Sequence, residues 1–374
     1  MTNRVDERLP VAYAPKNPRA IACTDIQAAQ NGRMQNLGKI AGLIGIIVAV
    51  LCCQRLAGAQ SEQERIEAAR KEGPLYWYGS MNVDDASALI AGINKKYPFL
   101  EIKRFRAANA PVLSKLDVEA RAKSLNVDVI DLDGFYVAQV LKRNYWSRYI
   151  SPELSSYPKE LSDPAGRWSG FFLLPQVVIY NTHLVSPATA PKNYNDLLDP
   201  KWKNRLTIPD SGVTWYHGML QYLGAEKGRL FMRRLAAQNV DVQSGNRMMV
   251  ELTMAGEHPI GIAAYAHRIS QFQKKGAPMG WIKDDVLVTT PQAIGVSASA
   301  KSPNAAKLIV DFTLSQEGQT ILRRSGRVPA NPKVDPDPPE LVRGRKLFYS
   351  DIIDGGTRYN EINDEFLKVF AGRN

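Results

Sequence analysis

Cysteine is almost missing from this chain. Of 374 residues only Cys23, Cys52 and Cys53 are cysteines, and all three precede residue 60. The rest of the chain therefore has no disulfide, no thiolate metal site and no cysteine nucleophile. A strong charge of one sign is lacking too. The formal net charge is +11, but seven of the 48 basic and three of the 37 acidic residues precede residue 60, which leaves a mild +7 on the body. Basic runs stay short and no nucleic-acid-binding motif is present, so nucleic acid is not an expected partner. The 27 glycines and 23 prolines follow no period, which excludes fibrous repeats. Enzyme signatures are absent: there is no His-Glu-x-x-His, no Gly-x-Ser-x-Gly, no P-loop and no dinucleotide fingerprint after a strand. His183, His217, His258 and His267 do not sit at metal-ligand spacing. Only one long apolar run exists, residues 40–53 (IAGLIGIIVAVLCC). It is short of the about 20 residues that span a membrane.

What is present reads as a folded, exported protein. A hydrophobic share of 44% with 23% charged residues is that of a globular chain. At this length two lobes are a more natural prior than one core. Arg33 and Lys39 before the apolar run, and Ala57-Gly58-Ala59 after it, complete a secretory signal. Cleavage is expected after Ala59. Residues 1–33 are either a gene-model extension ahead of a true start at Met34 or a long leader. Lipid attachment at Cys52 or Cys53, and an uncleaved anchor, stand as alternatives.

Along the body, strand and helix patterns alternate. Leu75–Tyr78 is a strand, 84–96 a helix with Ala86, Leu89, Ile90 and Ile93 on one face, and 100–105 a second strand. A helix over 112–122 and a buried strand over 128–132 follow. Short links between such units predict a parallel sheet with helices on its faces. Two later runs differ. Residues 168–181 and 286–296 are each too long for one small sheet, and each is interrupted by Pro-Gln (Pro175-Gln176 and Pro291-Gln292). They read as crossings between two lobes. The second lobe is expected to hold a strand at 205–208, helices near 214–223, 226–238 and 246–256, and a buried run over 259–265. Helices are expected over 304–314 and 315–322, a linker over 329–339, and a last helix over 361–370 on the second lobe.

Several phrases then resemble the periplasmic solute-binding proteins of ABC importers, in the group that includes ferric-ion-binding proteins. They are Ala69-Arg70-Lys71-Glu72-Gly73 with Leu75-Tyr76-Trp77-Tyr78, Val178-Ile179-Tyr180-Asn181, and Leu197-Leu198-Asp199-Pro200-Lys201-Trp202-Lys203. Ala255-Gly256-Glu257 with Pro259-Ile260-Gly261-Ile262 follows, and then 301–312 with Ser315-Gln316-Glu317-Gly318-Gln319. The ordered set runs from about residue 62 to 335. The resemblance implies an α/β, two-lobed periplasmic-binding-protein fold (type II, Venus flytrap) with two hinge-crossing strands. It implies lobe 1 at 60–174 plus 292–328 and lobe 2 at 175–291 plus 329–374. It further implies a periplasmic monomer, non-enzymatic and without a cofactor, that hands a small solute to an inner-membrane permease and ATPase.

The resemblance does not carry the ligand. Ferric-binding members use two adjacent tyrosines where this chain has Tyr265-Ala266. They often have a histidine where it has Asn82, and a glutamate where it has Asp133. Tyr265 and Asp133 are the hard donors left if iron binds, a thin set for a tight site. Three loops offer free helix N–H groups to an anion instead: Gly79-Ser80-Met81-Asn82, Asp210-Ser211-Gly212-Val213-Thr214, and Ser244-Gly245-Asn246-Arg247. Ser80, Asn82, Ser211 and Thr214 are either ligand contacts there or ordinary N-caps. Arg247 is expected as a fork donor to a carboxylate or phosphate. Asp133, at a strand's C-terminal end, either meets a cationic group or caps a helix. Trp215, Tyr216 and Tyr265 either stack on the ligand or pack in the core, and His267 is either a surface residue, the more common case, or a ligand contact. The expected solute is anionic or zwitterionic. A ferric carrier, and a periplasmic sensor subunit or enzyme on the same scaffold, are the alternatives.

Overall fold

The computed structural model describes residues 61–282 and 286–372. The export signal expected within 1–59 lies outside the described residues. Residues from Glu62 onward form one unit. Among the described residues, no helix is long and apolar enough to cross a membrane.

The first half opens with α1 (Glu62–Ala69), β1 (Leu75–Gly79), α2 (Val83–Lys96), β2 (Ile102–Arg106), α3 (Asn109–Arg121), β3 (Val129–Asp133) and α4 (Gly134–Lys142). Helix α2 shows why the pattern was readable. Asn82 caps it by accepting from Asp85 N at 2.8 Å, and Ala86, Leu89 and Ile93 bury its inner face. Strands β2, β1 and β3 are parallel neighbours. The chain then runs through β4 (Ser169–Asn181), thirteen residues long and buried throughout.

The second half contains β5 (Leu206–Pro209), α5 (Val213–Leu223), α6 (Ala225–Ala236), β6 (Asp241–Gln243), α7 (Gly245–Ala255), β7 (Ile260–Tyr265), α8 (Ala266–Lys274) and β8 (Met279–Trp281). Strand β9 (Val286–Val296) leads back, and α9 (Pro303–Leu314), α10 (Gln316–Arg324) and β10 (Val328–Pro329) complete the first half. The chain ends through β11 (Lys346–Tyr349), α11 (Ile352–Thr357) and α12 (Tyr359–Phe370). Within the segment read as a linker, β10 contributes a short pairing to β4.

One sheet runs in the order β2-β1-β3-β9-β4-β7-β5-β6. At each end three parallel strands meet an antiparallel crossing strand: β3 on β9, and β7 on β4. The two prolines sit at the seam. Pro175 lies where the outer edge of β4 passes from β10 (paired at 172–173) to β7 (paired from 176). Pro291 lies where the outer edge of β9 passes from β11 (up to 289) to β3 (from 292). A missing N–H breaks no ladder in such a gap, so proline is tolerated deep inside a sheet. Apolar packing continues across the seam through Phe171, Leu174, Val177, Ile179 and Ile269. A second core, around Trp215, Tyr216, Met219 and Phe366, belongs to the far half.

The terminal helices straddle the two halves. Helix α11 packs on α4 of the first half, where Gln139 Nε2 donates to Gly356 O at 3.0 Å. Helix α12 packs on α5 and α6 of the second half, where Arg229 pairs with Glu365 at 2.8 Å. One residue, Arg358, separates them.

Candidate functional site

A cavity of about 280 Å³ opens between the strand ends of the two halves. Ser80, Met81, Asn82, Arg106, Asn109 and Asp133 line it from the first half. Tyr265, His267 and Arg268 face them from the second, and Phe172, Leu174 and Gln292 of the crossing strands form its floor with Arg327. It is the cavity that draws on both halves and on both crossings.

The first-half wall is fixed by Asp131, which is fully buried on β3. Its Oδ1 accepts from Ser80 N (3.2 Å), Met81 N (3.0 Å) and Gln292 Nε2 (3.0 Å). Its Oδ2 accepts from Trp77 Nε1 (2.8 Å) and pairs with Arg104 Nη2 (3.2 Å). Gly79 makes this approach possible, because a Cβ there would lie 1.6 Å from Asp131 Oδ2. Gln292 also donates to Ser80 Oγ at 2.8 Å. The loop after β1 is thereby clamped to both β3 and β9.

Asp133, two residues on, has a sparser environment. It caps α4 by accepting from Phe135 N at 3.1 Å, and its own N–H donates to Asn109 Oδ1 at 3.0 Å. Burial pushes its carboxyl up to about 6, with the Phe135 bond pulling only partly against it.

The second-half wall is shaped by a bulge. Between the pairs Val177–Ala264 and Ile179–Gly261, β7 carries one residue more than β4. Ala263 absorbs it with a left-handed φ of 62°, and its carbonyl accepts from Asn246 Nδ2 at 2.7 Å. The bulge sets the direction in which β7 delivers Tyr265 to the cavity. The Tyr265 ring stacks on His267 with centroids 5.9 Å apart. Burial, then Asp133, raises the Tyr265 phenol and keeps it neutral.

Charge on the two walls is unbalanced. Arg327 is neutralised by Asp85 and stacks over Phe172 at 4.8 Å. The side chains of Arg106, which is exposed, and of Arg268 have no ion pair or hydrogen bond among the described residues. Burial and the neighbouring Arg327 lower the Arg268 guanidinium from its ordinary range, the expected sign for an uncompensated cation. Asp133 is the carboxylate of the lining. The arrangement can hold an anion with fork donors, and it offers one acceptor to a second, cationic or hydroxylic, part of the same solute.

Ser80, Asn82, Asp133 and Tyr265 thus share the cavity. The other expected site residues do not. Trp215 is 0% exposed, sealed in the far core beside Tyr194 at 5.9 Å, because its helix turns that face inward. Thr214 is buried and donates to Gln176 Oε1 at 3.3 Å. Arg247 projects into solvent, its side chain 78% exposed, and pairs one helical turn on with Glu251 at 2.7 Å. Asp210 Oδ1 accepts from Gly245 N at 2.9 Å, so the second and third loops join each other rather than the first. They border a separate groove of about 820 Å³ with Ser211, Ser244, Tyr359 and Asn363. That groove is larger, but it is built from the second half and its terminal helix alone and gathers no unpaired cation. His267 is 4% exposed, not a surface residue. Arg106, Asn109, Arg268, Gln292 and Arg327 were missed. Arg106 and Arg268 had one sequence signal, position at or just past a strand end, whereas Gln292 lies within β9 and Arg327 just before β10.

Among the described residues, no group of three or more His, Cys, Asp and Glu side chains is placed to hold a metal. Tyr265 and Asp133 share the cavity as two hard donors, with Ala266 where a second phenol would stand.

Comparison with known proteins fits this geometry. The Fe(3+)-binding periplasmic protein of Serratia marcescens is 28% identical over 167 residues, covering 42% of this chain and 49% of that protein. A Salmonella typhimurium protein assigned as 2-aminoethylphosphonate-binding is 26% identical over 170 residues, covering 42% and 50%. The chain thus spans about half the length of these curated relatives. Among solved structures, the periplasmic binding protein AfuA from Actinobacillus pleuropneumoniae with fructose-6-phosphate bound superposes with a TM-score of 0.66. It is 21% identical, over 80% of this chain and 99% of that one. Iron-bound HitA from Pseudomonas aeruginosa also gives 0.66, at 19% identity over 78% and 99%. These likenesses show the two-lobed α/β binding-protein fold. The family model for bacterial extracellular solute-binding proteins matches residues 126–347, and the chain belongs to that family.

Proposed function

We propose that this protein is the substrate-binding component of an ABC importer and captures a small anionic or zwitterionic solute in the cavity between its lobes. The observation that carries the reading is the pair of unpaired guanidinium groups, Arg106 and Arg268, brought from opposite halves to one cavity that also holds Asp133. An anion touching both halves stabilises the closed arrangement, and solute binding thereby shifts the lobe equilibrium. The closed form is what a membrane permease and its ATPase would recognise. The lobes are 60–174 with 292–328, and 175–291 with 329–374, hinged near 174–177 and 289–292. The seam prolines support these positions. No covalent step is required. Relatives assigned to a phosphonate and a phosphosugar make a phosphoryl or phosphonyl group the first anion to try.

A thermal-shift screen of the purified protein tests the reading, because a solute that binds the folded state alone raises the melting temperature. The panel holds inorganic phosphate, a hexose phosphate, 2-aminoethylphosphonate, amino acids, polyols and ferric citrate. A shift with an organic anion or zwitterion is expected, lost in Arg268→Ala and kept in Arg247→Ala. A shift with polyols alone would overturn the anion reading. A shift with iron alone, carrying a tyrosinate colour band lost in Tyr265→Phe, would replace it with the ferric one. Small-angle scattering checks the hinge: an unchanged radius of gyration with a bound solute would refute closure.

A further inference from the structure

We infer that His267 is a neutral hydrogen-bond donor to the bound solute, and that Arg327 is the residue that positions it. The role as donor rests on the proposed anion site. The argument begins with one contact. Arg327 Nη1 lies 2.9 Å from His267 Nε2. Arginine can only donate, so Nε2 must be the bare, accepting nitrogen. In a neutral ring the proton then sits on Nδ1. That N–H finds no partner among the described residues, although the ring is nearly fully buried and lines the cavity. A buried donor left unmet is costly, and such groups usually have an acceptor in the functional state.

Everything around the ring holds this state. Arg327 cannot easily turn away, because Asp85 of α2 binds its Nε and Phe172 of β4 lies under its plane. Two guanidinium groups face the imidazole, Arg327 from the segment before β10 and Arg268 from its own helix, and Tyr265 of β7 stacks on it. Asp85 reaches it only through Arg327, and Asp133 lies elsewhere in the lining. Burial and the two arginines lower the His267 pKa well below the ordinary value, so it stays uncharged. The cavity therefore combines cationic donors with one neutral donor of fixed tautomer. The Arg327–His267 bond also joins the two halves, since Asp85 and Arg327 belong to the first and His267 to the second.

Nitrogen-15 NMR of the histidine-labelled full chain reads the tautomer without any solute. The expected result is one histidine that is neutral and protonated on Nδ1 from pH 8 down to 5, its signals missing in His267→Asn. Protonation on Nε2 instead, or ordinary titration near pH 6.5, would overturn the inference. Arg327→Lys keeps a donor-only partner and should keep the tautomer. Arg327→Leu removes the donor that fixes Nε2 as the acceptor and should let the Nε2-protonated tautomer appear, and if that variant fails to fold the wild-type spectrum still decides. Titration with inorganic phosphate and 2-aminoethylphosphonate should shift the Nδ1 proton downfield. His267→Phe, which keeps a ring but no donor, should weaken the bound probe by about tenfold. His267→Asn, which places an amide donor near the Nδ1 position, should recover most of that loss. An unmoved Nδ1 proton with a bound probe would remove the donor role. If no anion or zwitterion of the thermal-shift panel binds wild-type protein, the anion reading fails and the donor role with it, whichever tautomer is found.

Discussion

On the first-half wall of the cavity, Asp131 collects Trp77, Ser80, Met81, Gln292 and Arg104 around one carboxylate, and its acceptor capacity is used within the protein. On the second-half wall, Arg268 and His267 each keep a donor that none of the described residues meets. The Asp131 corner of the first wall is thus satisfied within the protein, whereas Arg106 on the same wall, like Arg268 opposite, has no side-chain partner among the described residues. The same contrast appears within one strand. Asp131 and Asp133 are two residues apart on β3, yet one is enclosed by donors and the other has a single backbone N–H. Removing Asp131 should cost folding, and removing Arg268 or His267 should cost binding.

The largest effect is expected at Asp131. Asp131→Ala leaves Arg104 buried without its anion and should destabilise by about 3–5 kcal/mol, measured by urea denaturation. A loss below 1 kcal/mol would break the contrast. Gly79→Ala should follow, at about 1–3 kcal/mol, because its Cβ collides with that carboxylate. On the opposite wall, Arg268→Ala should weaken anion binding by about tenfold to a hundredfold without lowering the solute-free melting temperature. A clear loss of stability there would mean that Arg268 is structural after all.

Asp133 sharpens the comparison through pH. Its carboxyl titrates near 6 in the folded protein, above the unfolded carboxylate at about 3.9. The folded state therefore holds the proton more tightly, and stability falls as pH rises between those values. Asp133→Asn should be more stable than wild type at pH 7 and equal to it at pH 4, by thermal melting. In wild type, ionisation above pH 6 should favour a solute with an ammonium group over a plain anion, a preference that calorimetry should find abolished in Asp133→Asn. The smallest effect is expected at Arg247, where alanine should change affinity less than twofold and stability by less than about 0.5 kcal/mol.

The fold was legible because its signals are local. Apolar periodicity marked α2 and α9, and the two Pro-Gln interruptions marked β4 and β9 as crossings. Strands β6 and β8, three residues each, are too short to leave a pattern. Of the residues expected from the sequence, three on the first wall and Tyr265 on the second line the cavity. Ser80, Asn82 and Asp133 stand at strand ends followed by clear helices. Arg268 sits on α8, whose buried residues Ala266, His267, Ile269 and Ser270 include two polar ones. Arg327 lies 60 positions beyond His267 and joins the site by tertiary packing alone. Arg247 had the right side chain at the right kind of loop. What the sequence could not reveal is that its helix turns that side chain to solvent and toward Glu251.

The single residue between α11 and α12 limits how the protein can move. Helix α11 is tied to the first half through Gln139 and to the second through His217, which lies 3.5 Å from Asp354; α12 is tied to the second half through Arg229, and even an extended residue spans only about 3.5 Å. If the halves hinge as proposed, that flank has almost no slack, and they would tilt about the Arg358 junction rather than draw apart there. The terminal helices act as a fulcrum, and the travel of any opening must be greatest on the flank farthest from them. Spin labels placed across the two flanks would show it, with the distance beside Arg358 staying constant while the opposite one changes.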